Sequence, residues 1–84
     1  MMLKIEVLGP GCPKCRLLEK NVRAAVEEMG VDAEVTKISE IRDIAARRVM
    51  MTPALAVNGD VVSAGRLLTP RQVRALIEAV LPGA

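Results

Sequence analysis

The fold of this 84-residue chain is decided by one short stretch, residues 3–15, which reads LKIEVLGPGCPKC. Apolar and polar side chains alternate along its start, a pattern typical of a β-strand that is buried on one face. Residues 9–11 break the strand, and Pro13 then falls where proline is favoured, at the first position of a helix. The stretch therefore predicts a strand, a tight turn and a helix whose first turn carries Cys12 and Cys15.

The spacing of the two cysteines, which are the only ones in the chain, suits a reversible disulfide. Side chains three positions apart on a helix have Cβ atoms about 5–6 Å apart. A disulfide needs Cα atoms about 4.4–6.8 Å apart, so the pair can open and close with little backbone movement. So small a ring restrains the unfolded chain by only about 2 kcal/mol, which favours a redox role over a structural one.

The position of Cys12 favours a reactive thiolate. At the N-cap of the predicted helix, the free N–H groups of the first turn and the positive end of the helix dipole stabilise negative charge. Lys14 adds a nearby cation, and thiols in such surroundings have pKa values lowered from ~8.5 to about 3.5–7.5. Cys15 lies one turn deeper. We therefore expect Cys12 to attack a target disulfide and Cys15 to resolve the mixed disulfide.

Metal binding is the main alternative use of the same two thiols, and inert thiols are a third. Two thiolates suit a soft ion such as Cu(I). Structural zinc takes four Cys or His ligands, whereas this chain has two cysteines and no histidine. We therefore expect no metal centre if the pair is redox-active, and we keep a Cu(I) chaperone as the alternative function of the two cysteines.

Composition excludes several functions. The chain contains no Phe, Tyr or Trp, so its core must be aliphatic and it cannot stack bases on aromatic rings. The net charge of +2 is no nucleic-acid signature. Five arginines form two small groups that either seek phosphate or simply face solvent: Arg47, Arg48, Arg66, Arg71 and Arg74.

The location and organisation of the chain are also predicted from its sequence. No segment has the roughly 18 apolar residues needed to span a bilayer, and the start lacks the long apolar stretch of a signal peptide. We expect a cytoplasmic protein that binds no membrane, folds as a single domain over residues 1–84 and is a monomer. A disulfide in that compartment is usually transient, catalytic or sensing.

The first half of the chain continues with a helix, a strand and a second helix. The helix covers residues 13–29 and ends at Gly30, because glycine is favoured just after a helix. A strand follows at residues 31–38, and Ser39 is a good N-cap for the second helix. The apolar spacing predicts the buried face of that helix, which comprises Ile41, Ile44, Ala45 and Val49.

The second half predicts a hairpin and a last helix. Strands at residues 54–57 and 61–64 flank Asn58-Gly59, a strong hairpin signal. Residues 69–72, Thr-Pro-Arg-Gln, form a capping-box pattern, and Leu81-Pro82-Gly83 ends the helix that follows. Its inward side chains are expected to be Val73, Leu76, Ile77 and Val80. The order β-α-β-α-β-β-α predicts an α/β fold with one mixed four-stranded sheet flanked by helices.

With Cys-Pro-Lys-Cys at residues 12–15 after the first strand and Thr52-Pro53 before the third, this chain resembles the thioredoxin fold over nearly its whole length. It is most similar to the small thioredoxin/glutaredoxin-like redox-active disulfide proteins of archaea and bacteria. The resemblance implies a thiol–disulfide oxidoreductase that acts on disulfide-containing target proteins and is reduced by an upstream reductase. It implies no cofactor besides the Cys12–Cys15 disulfide itself.

The resemblance also assigns residues around the thiols. It implies that the Thr52-Pro53 bond is cis and that Pro53 lies against the disulfide, where an extended substrate can pair with the preceding backbone. Pro13, Lys14 and Gly65 complete the predicted support of the site. Lys14 replaces the tyrosine that many glutaredoxins have there, so glutathione use does not carry over.

Three further residues have two interpretations each. Glu6 lies six residues before Cys12, as does the buried acid that helps the resolving thiol of thioredoxins to lose its proton. The resemblance therefore makes Glu6 a possible proton acceptor, whereas its neighbour Lys4 favours an exposed, charged strand face. Met50 and Met51 either border the substrate groove or fill the core.

Overall fold

The computed structural model describes residues 2–81 and contains the predicted order of elements. Each strand or helix of the prediction is present, and no other is found within those residues. The elements are β1 (Leu3–Leu8), α1 (Pro13–Met29), β2 (Ala33–Ile38), α2 (Ile41–Ala46), β3 (Ala54–Val57), β4 (Asp60–Ala64) and α3 (Pro70–Val80).

The four strands form one mixed sheet in the order β2-β1-β3-β4. As predicted, β1 and β2 are parallel, and β3 and β4 form an antiparallel hairpin. β3 pairs with β1 in the antiparallel direction. The central position of β1 places its end, and the turn that carries the cysteines, between β2 and β3.

Alternation along the strands divides the core between the two faces of the sheet. One face packs against α1 and α3, which supply Leu18, Val22 and Ile77, all at most 1% exposed. The other face is smaller and lies under α2, which supplies Ile44. The strands match these partners because β3 presents Leu55 and Val57 to the larger core and alanines to the smaller one.

The predicted ends of the longer helices are confirmed. Gly30 follows α1 with φ +67°, the left-handed conformation that glycine adopts readily. At the start of α3, the Thr69 hydroxyl accepts a hydrogen bond from the Gln72 backbone N–H at 3.2 Å. The Gln72 side chain accepts one from the Thr69 N–H at 2.9 Å, which completes the capping box. The predicted stop at Leu81-Pro82-Gly83 falls partly outside the described residues.

The prediction for α2 was wrong in detail. The N-cap is Glu40 rather than Ser39, and the helix has only six residues. Because so short a helix turns only one position toward the sheet, Ile44 alone is buried, and Ile41 is 75% exposed. Ala45 is exposed too, and Val49 reaches the core from the following loop.

Smaller differences occur at the ends of other elements. β2 begins at Ala33 rather than at residue 31, because its pairing with β1 starts where Leu3 lies opposite Ala33. β4 begins one residue early, at Asp60, which pairs with Val57. Val80 is 37% exposed because it lies in the last turn of α3.

Candidate active site

The backbone that holds the two cysteines is built as the sequence predicts. Gly9 extends the pairing of β1 with β2, because its N–H donates to the Ile38 carbonyl oxygen at 2.9 Å. Gly11 then turns the chain with φ +95°, a region that favours glycine. Cys12 is the N-cap of α1, and Pro13 occupies its first position. The turn therefore delivers Cys12 to the head of the helix.

The two thiols are free and lie in contact. The Cys12 Sγ and Cys15 Sγ atoms are 2.8 Å apart, and either can donate the hydrogen bond between them. Cys12 is half-buried, whereas Cys15 is 1% exposed. A disulfide bond is about 2.05 Å long, so oxidation of the pair by a target disulfide needs only a small movement of the sulfur atoms. The Cys12 sulfur is therefore partly open to solvent, whereas the Cys15 sulfur lies buried next to it.

The surroundings shift the two pKa values in opposite directions. The hydrogen bond from the Cys15 thiol lowers the pKa of Cys12, and the backbone N–H groups of Cys15 and Lys14 lower it further. Burial raises the pKa of Cys15, and so does its hydrogen bond to Cys12. Lys14 contributes to this lowering of the Cys12 pKa through its backbone N–H. The two shifts favour the thiolate at Cys12 and the thiol at Cys15.

These opposite pKa shifts predict a pH-dependent difference in alkylation. Only the thiolate reacts with iodoacetamide, so a lowered pKa keeps Cys12 reactive at pH values where Cys15 stays protonated. We expect the rate at Cys12 to reach half its maximum at a lower pH than in the urea-unfolded chain. Peptide mass spectrometry over a pH series would measure both sites.

Cys15 should show the reverse shift, with its half-maximum at a higher pH than in the unfolded chain.

A second consequence of the lowered Cys12 pKa concerns the stability of the reduced protein. Because the folded pKa of Cys12 is depressed, its thiolate stabilises the reduced protein above the unfolded pKa, and this is lost as pH falls through the folded value. In the alkylation experiment, equal rates at both cysteines at neutral pH would contradict the assignment of the lower pKa to Cys12.

The Thr52-Pro53 bond is cis, as the resemblance implies. Pro53 is buried, and its carbonyl oxygen accepts a hydrogen bond from the Gly65 N–H at 2.9 Å. The Met51 side chain lies over Gly65, where an added Cβ would come within 3.0 Å of it. The proline loop is therefore held by the end of β4, while Thr52 is exposed.

A shallow groove of about 210 Å³ lies between this loop and α2. Met50, which is 95% exposed, lines it together with Pro10 and Thr52. Met51 is 63% exposed. The alternative that these methionines fill the core is therefore wrong for both, and Met50 borders a groove beside the turn that precedes Cys12.

Glu6 forms an ion pair that the sequence did not reveal. Arg47 donates from Nε to one carboxylate oxygen at 3.0 Å and from Nη2 to the other at 2.9 Å. Arg47 also donates to the Asp43 carbonyl oxygen at 3.1 Å, so it ties the end of α2 to β1. The partners are 41 residues apart, and no local pattern marks such a pair. A role of Glu6 in accepting the Cys15 proton stays a prediction.

Ion pairs account for one of the other arginines as well. Arg74 contacts Glu28 at 2.9 Å and Glu78 at 3.2 Å. Together with the pair of Arg47, these contacts fit the interpretation of a solvated, charged surface better than a phosphate site.

Residues 2–81 contain no group of three or more His, Cys, Asp or Glu side chains that could hold a metal ion. None of the helices described within that range is long and apolar enough to cross a membrane.

Two thiols with opposite pKa shifts, one half-buried and one buried, are what a thiol–disulfide oxidoreductase needs, and the sheet order is that of a thioredoxin fold. A family model for the thioredoxin domain matches residues 3–78. A thioredoxin of Methanothermobacter thermautotrophicus is 40% identical over 76 residues, which cover 90% of this chain and 99% of that protein. A thioredoxin of Methanocaldococcus jannaschii is 35% identical over 83 residues, 99% of this chain and 95% of that protein. The chain therefore belongs to the thioredoxin family.

Proposed function

We propose that this protein reduces disulfides of target proteins with the Cys12–Cys15 dithiol. The observation that carries the proposal is the 2.8 Å contact between an accessible sulfur and a buried one. The opposite pKa shifts of the two thiols support it. Attack on the target needs a thiolate, and resolution of the mixed disulfide needs a second thiol that has not yet reacted.

The reaction proceeds in two exchange steps. The Cys12 thiolate attacks one sulfur of the target disulfide, which forms a mixed disulfide and releases the other target sulfur as a thiolate. Cys15 then loses its proton and attacks the Cys12 sulfur, and the second target thiolate leaves. The target gains two electrons, and the protein is left with a Cys12–Cys15 disulfide. An upstream reductase returns two electrons, and no cofactor besides the cysteines takes part.

The target binds beside the cis proline in this proposal. Thr52 is exposed next to the buried Pro53, and the groove lined by Met50 and Pro10 continues from it. Methionine adapts to varied apolar surfaces, so an extended, partly apolar segment of a target suits this groove. The cytoplasm is the proposed compartment, because thiols there are kept reduced.

Insulin reduction tests the proposal directly. We expect the purified protein to accelerate precipitation of the insulin B chain in dithiothreitol, measured by turbidity, over dithiothreitol alone. A Cu(I) titration of the reduced protein, with a chromophoric chelator as competitor, tests the alternative. Tight one-to-one Cu(I) binding without any acceleration of insulin reduction would replace the proposed function by a copper chaperone.

A further inference from the structure

Gly9 lies directly against the buried thiol, for a reason of space rather than of backbone conformation. Its φ angle is outside the left-handed region, so alanine suits its backbone. A Cβ atom at this position would overlap the Cys15 Sγ atom. It would also lie 3.0 Å from Cys15 Cβ and 3.9 Å from Pro53 Cα. The Cys15 sulfur therefore occupies the space that a side chain at residue 9 would fill.

Both partners in this contact are held in place. Gly9 is buried and hydrogen-bonded to Ile38 at the end of the sheet. Cys15 belongs to the first turn of α1 and is 1% exposed. An alanine at residue 9 must therefore either turn the sulfur about its one rotatable bond or push the helix away from β1. The tight approach to Cys15 Cβ remains in any rotamer, so turning the sulfur does not fully relieve it.

We propose that Gly9 is a positioning residue for the resolving step, a role that rests on the proposed function. By leaving this space open, Gly9 lets Cys15 hold its sulfur within 2.8 Å of the Cys12 sulfur. In that step Cys15 loses its proton to solvent and its thiolate bonds to the Cys12 sulfur. The bond from Cys12 to the target sulfur breaks, and the target sulfur leaves with the electron pair as a thiolate, which solvent can protonate. Either response to a larger residue moves the attacking sulfur out of line with that bond.

The experiment compares wild type with Gly9→Ala in their reaction with dithiobis(nitrobenzoate), a small disulfide that releases a coloured thiolate at each exchange. The first release reports attack by Cys12, and the second reports attack by Cys15 on the mixed disulfide. A displacement of ~1 Å at reacting atoms can cost about 10²-fold in rate, so we expect the second release to slow by about tenfold or more. Both releases are measured at a pH high enough to ionise Cys12 fully in either protein, so that losing the hydrogen bond from Cys15 no longer changes the amount of Cys12 thiolate. The first release should then change by less than about twofold, because Cys12 is not in contact with the new methyl group.

A matched glycine variant separates positioning from loss of stability. Gly59 has φ +89° in the hairpin turn and no atom within 4 Å of an added Cβ, so Gly59→Ala strains the backbone without reaching the thiols. Both releases should keep wild-type rates in this control. The proposal is overturned if the second release is unchanged in Gly9→Ala, or if both releases slow to the same extent.

A double variant tests the contact itself. In the Cys15→Ala background the overlapping sulfur is absent, so adding Gly9→Ala should lower the urea midpoint of the reduced protein by less than it does beside Cys15. Equal shifts in the two backgrounds would show that Gly9 does not act through this sulfur. The proposed function is tested separately by insulin reduction. If the wild-type protein gives two normal releases but does not reduce insulin, the proposed function is contradicted and the role of Gly9 is not.

Discussion

Cys12→Ser is expected to abolish the acceleration of insulin reduction, a loss of at least about 10³-fold. A serine hydroxyl stays protonated at neutral pH and does not displace sulfur from a disulfide. Cys15 cannot take over, because it is buried and its pKa is raised by that burial. The turbidity assay in dithiothreitol measures the loss as a return to the rate of dithiothreitol alone.

The matched control for this variant is Cys15→Ser, the same exchange of sulfur for oxygen one turn away. It also loses turnover, but it keeps the first attack, so a single release from dithiobis(nitrobenzoate) should persist in Cys15→Ser and vanish in Cys12→Ser. Urea midpoints close to that of the wild type would show that both variants keep the fold. Insulin reduction by Cys12→Ser at the wild-type rate would remove Cys12 as the nucleophile.

Cys15→Ser is expected to hold targets on Cys12 as mixed disulfides. In the proposed mechanism the Cys15 thiol, whose sulfur lies 2.8 Å from that of Cys12, ends this intermediate. Without Cys15, the mixed disulfide is cleaved only by thiols from solution. An oriented thiol in the same molecule reacts much faster than a dissolved one, so we expect the lifetime of the mixed disulfide to rise by at least about 10²-fold. Non-reducing gels, followed by mass spectrometry of the bands that dithiothreitol releases, would identify the bound proteins.

The control for trapping is the double variant in which both cysteines are serine. It presents the same surface, including the groove beside Met50, but has no sulfur to form a bond. Proteins captured by Cys15→Ser and absent from the double variant are covalent partners. Capture at the same level by both variants would mean that the groove binds these proteins without disulfide chemistry.

Local patterns were enough to predict most of the elements and the reactive pair. The strand at residues 3–8, the turn before Cys12 and the helix that ends at Gly30 all depend on neighbouring residues, and each was predicted within a residue. The hairpin around Asn58-Gly59 and the cap at Thr69 were predicted for the same reason. These signals are local because turns, caps and alternation act over a few positions of the chain.

The second helix shows where such patterns fail. Its apolar spacing suggested a longer buried face, but the segment forms only six helical residues and leaves Ile41 exposed. Burial depends on what lies opposite, and the face of the sheet under α2 offers only a small apolar area around Ala54 and Ala56. No spacing within residues 39–50 carries that information.

The sequence alone determines the chemistry of the site. Two cysteines three positions apart at the start of a helix form a dithiol, and this does not depend on the residues that pack around them. The tertiary structure determines how deeply the Cys15 sulfur is buried. It also determines what shifts the pKa of Cys15 and which residue leaves space for its sulfur. Gly9, six positions from Cys15, meets it because β1 and α1 pack side by side, and Arg47 meets Glu6 across 41 residues. Sequence neighbours set the reactive groups, whereas contacts between distant segments set their depth, charge and alignment.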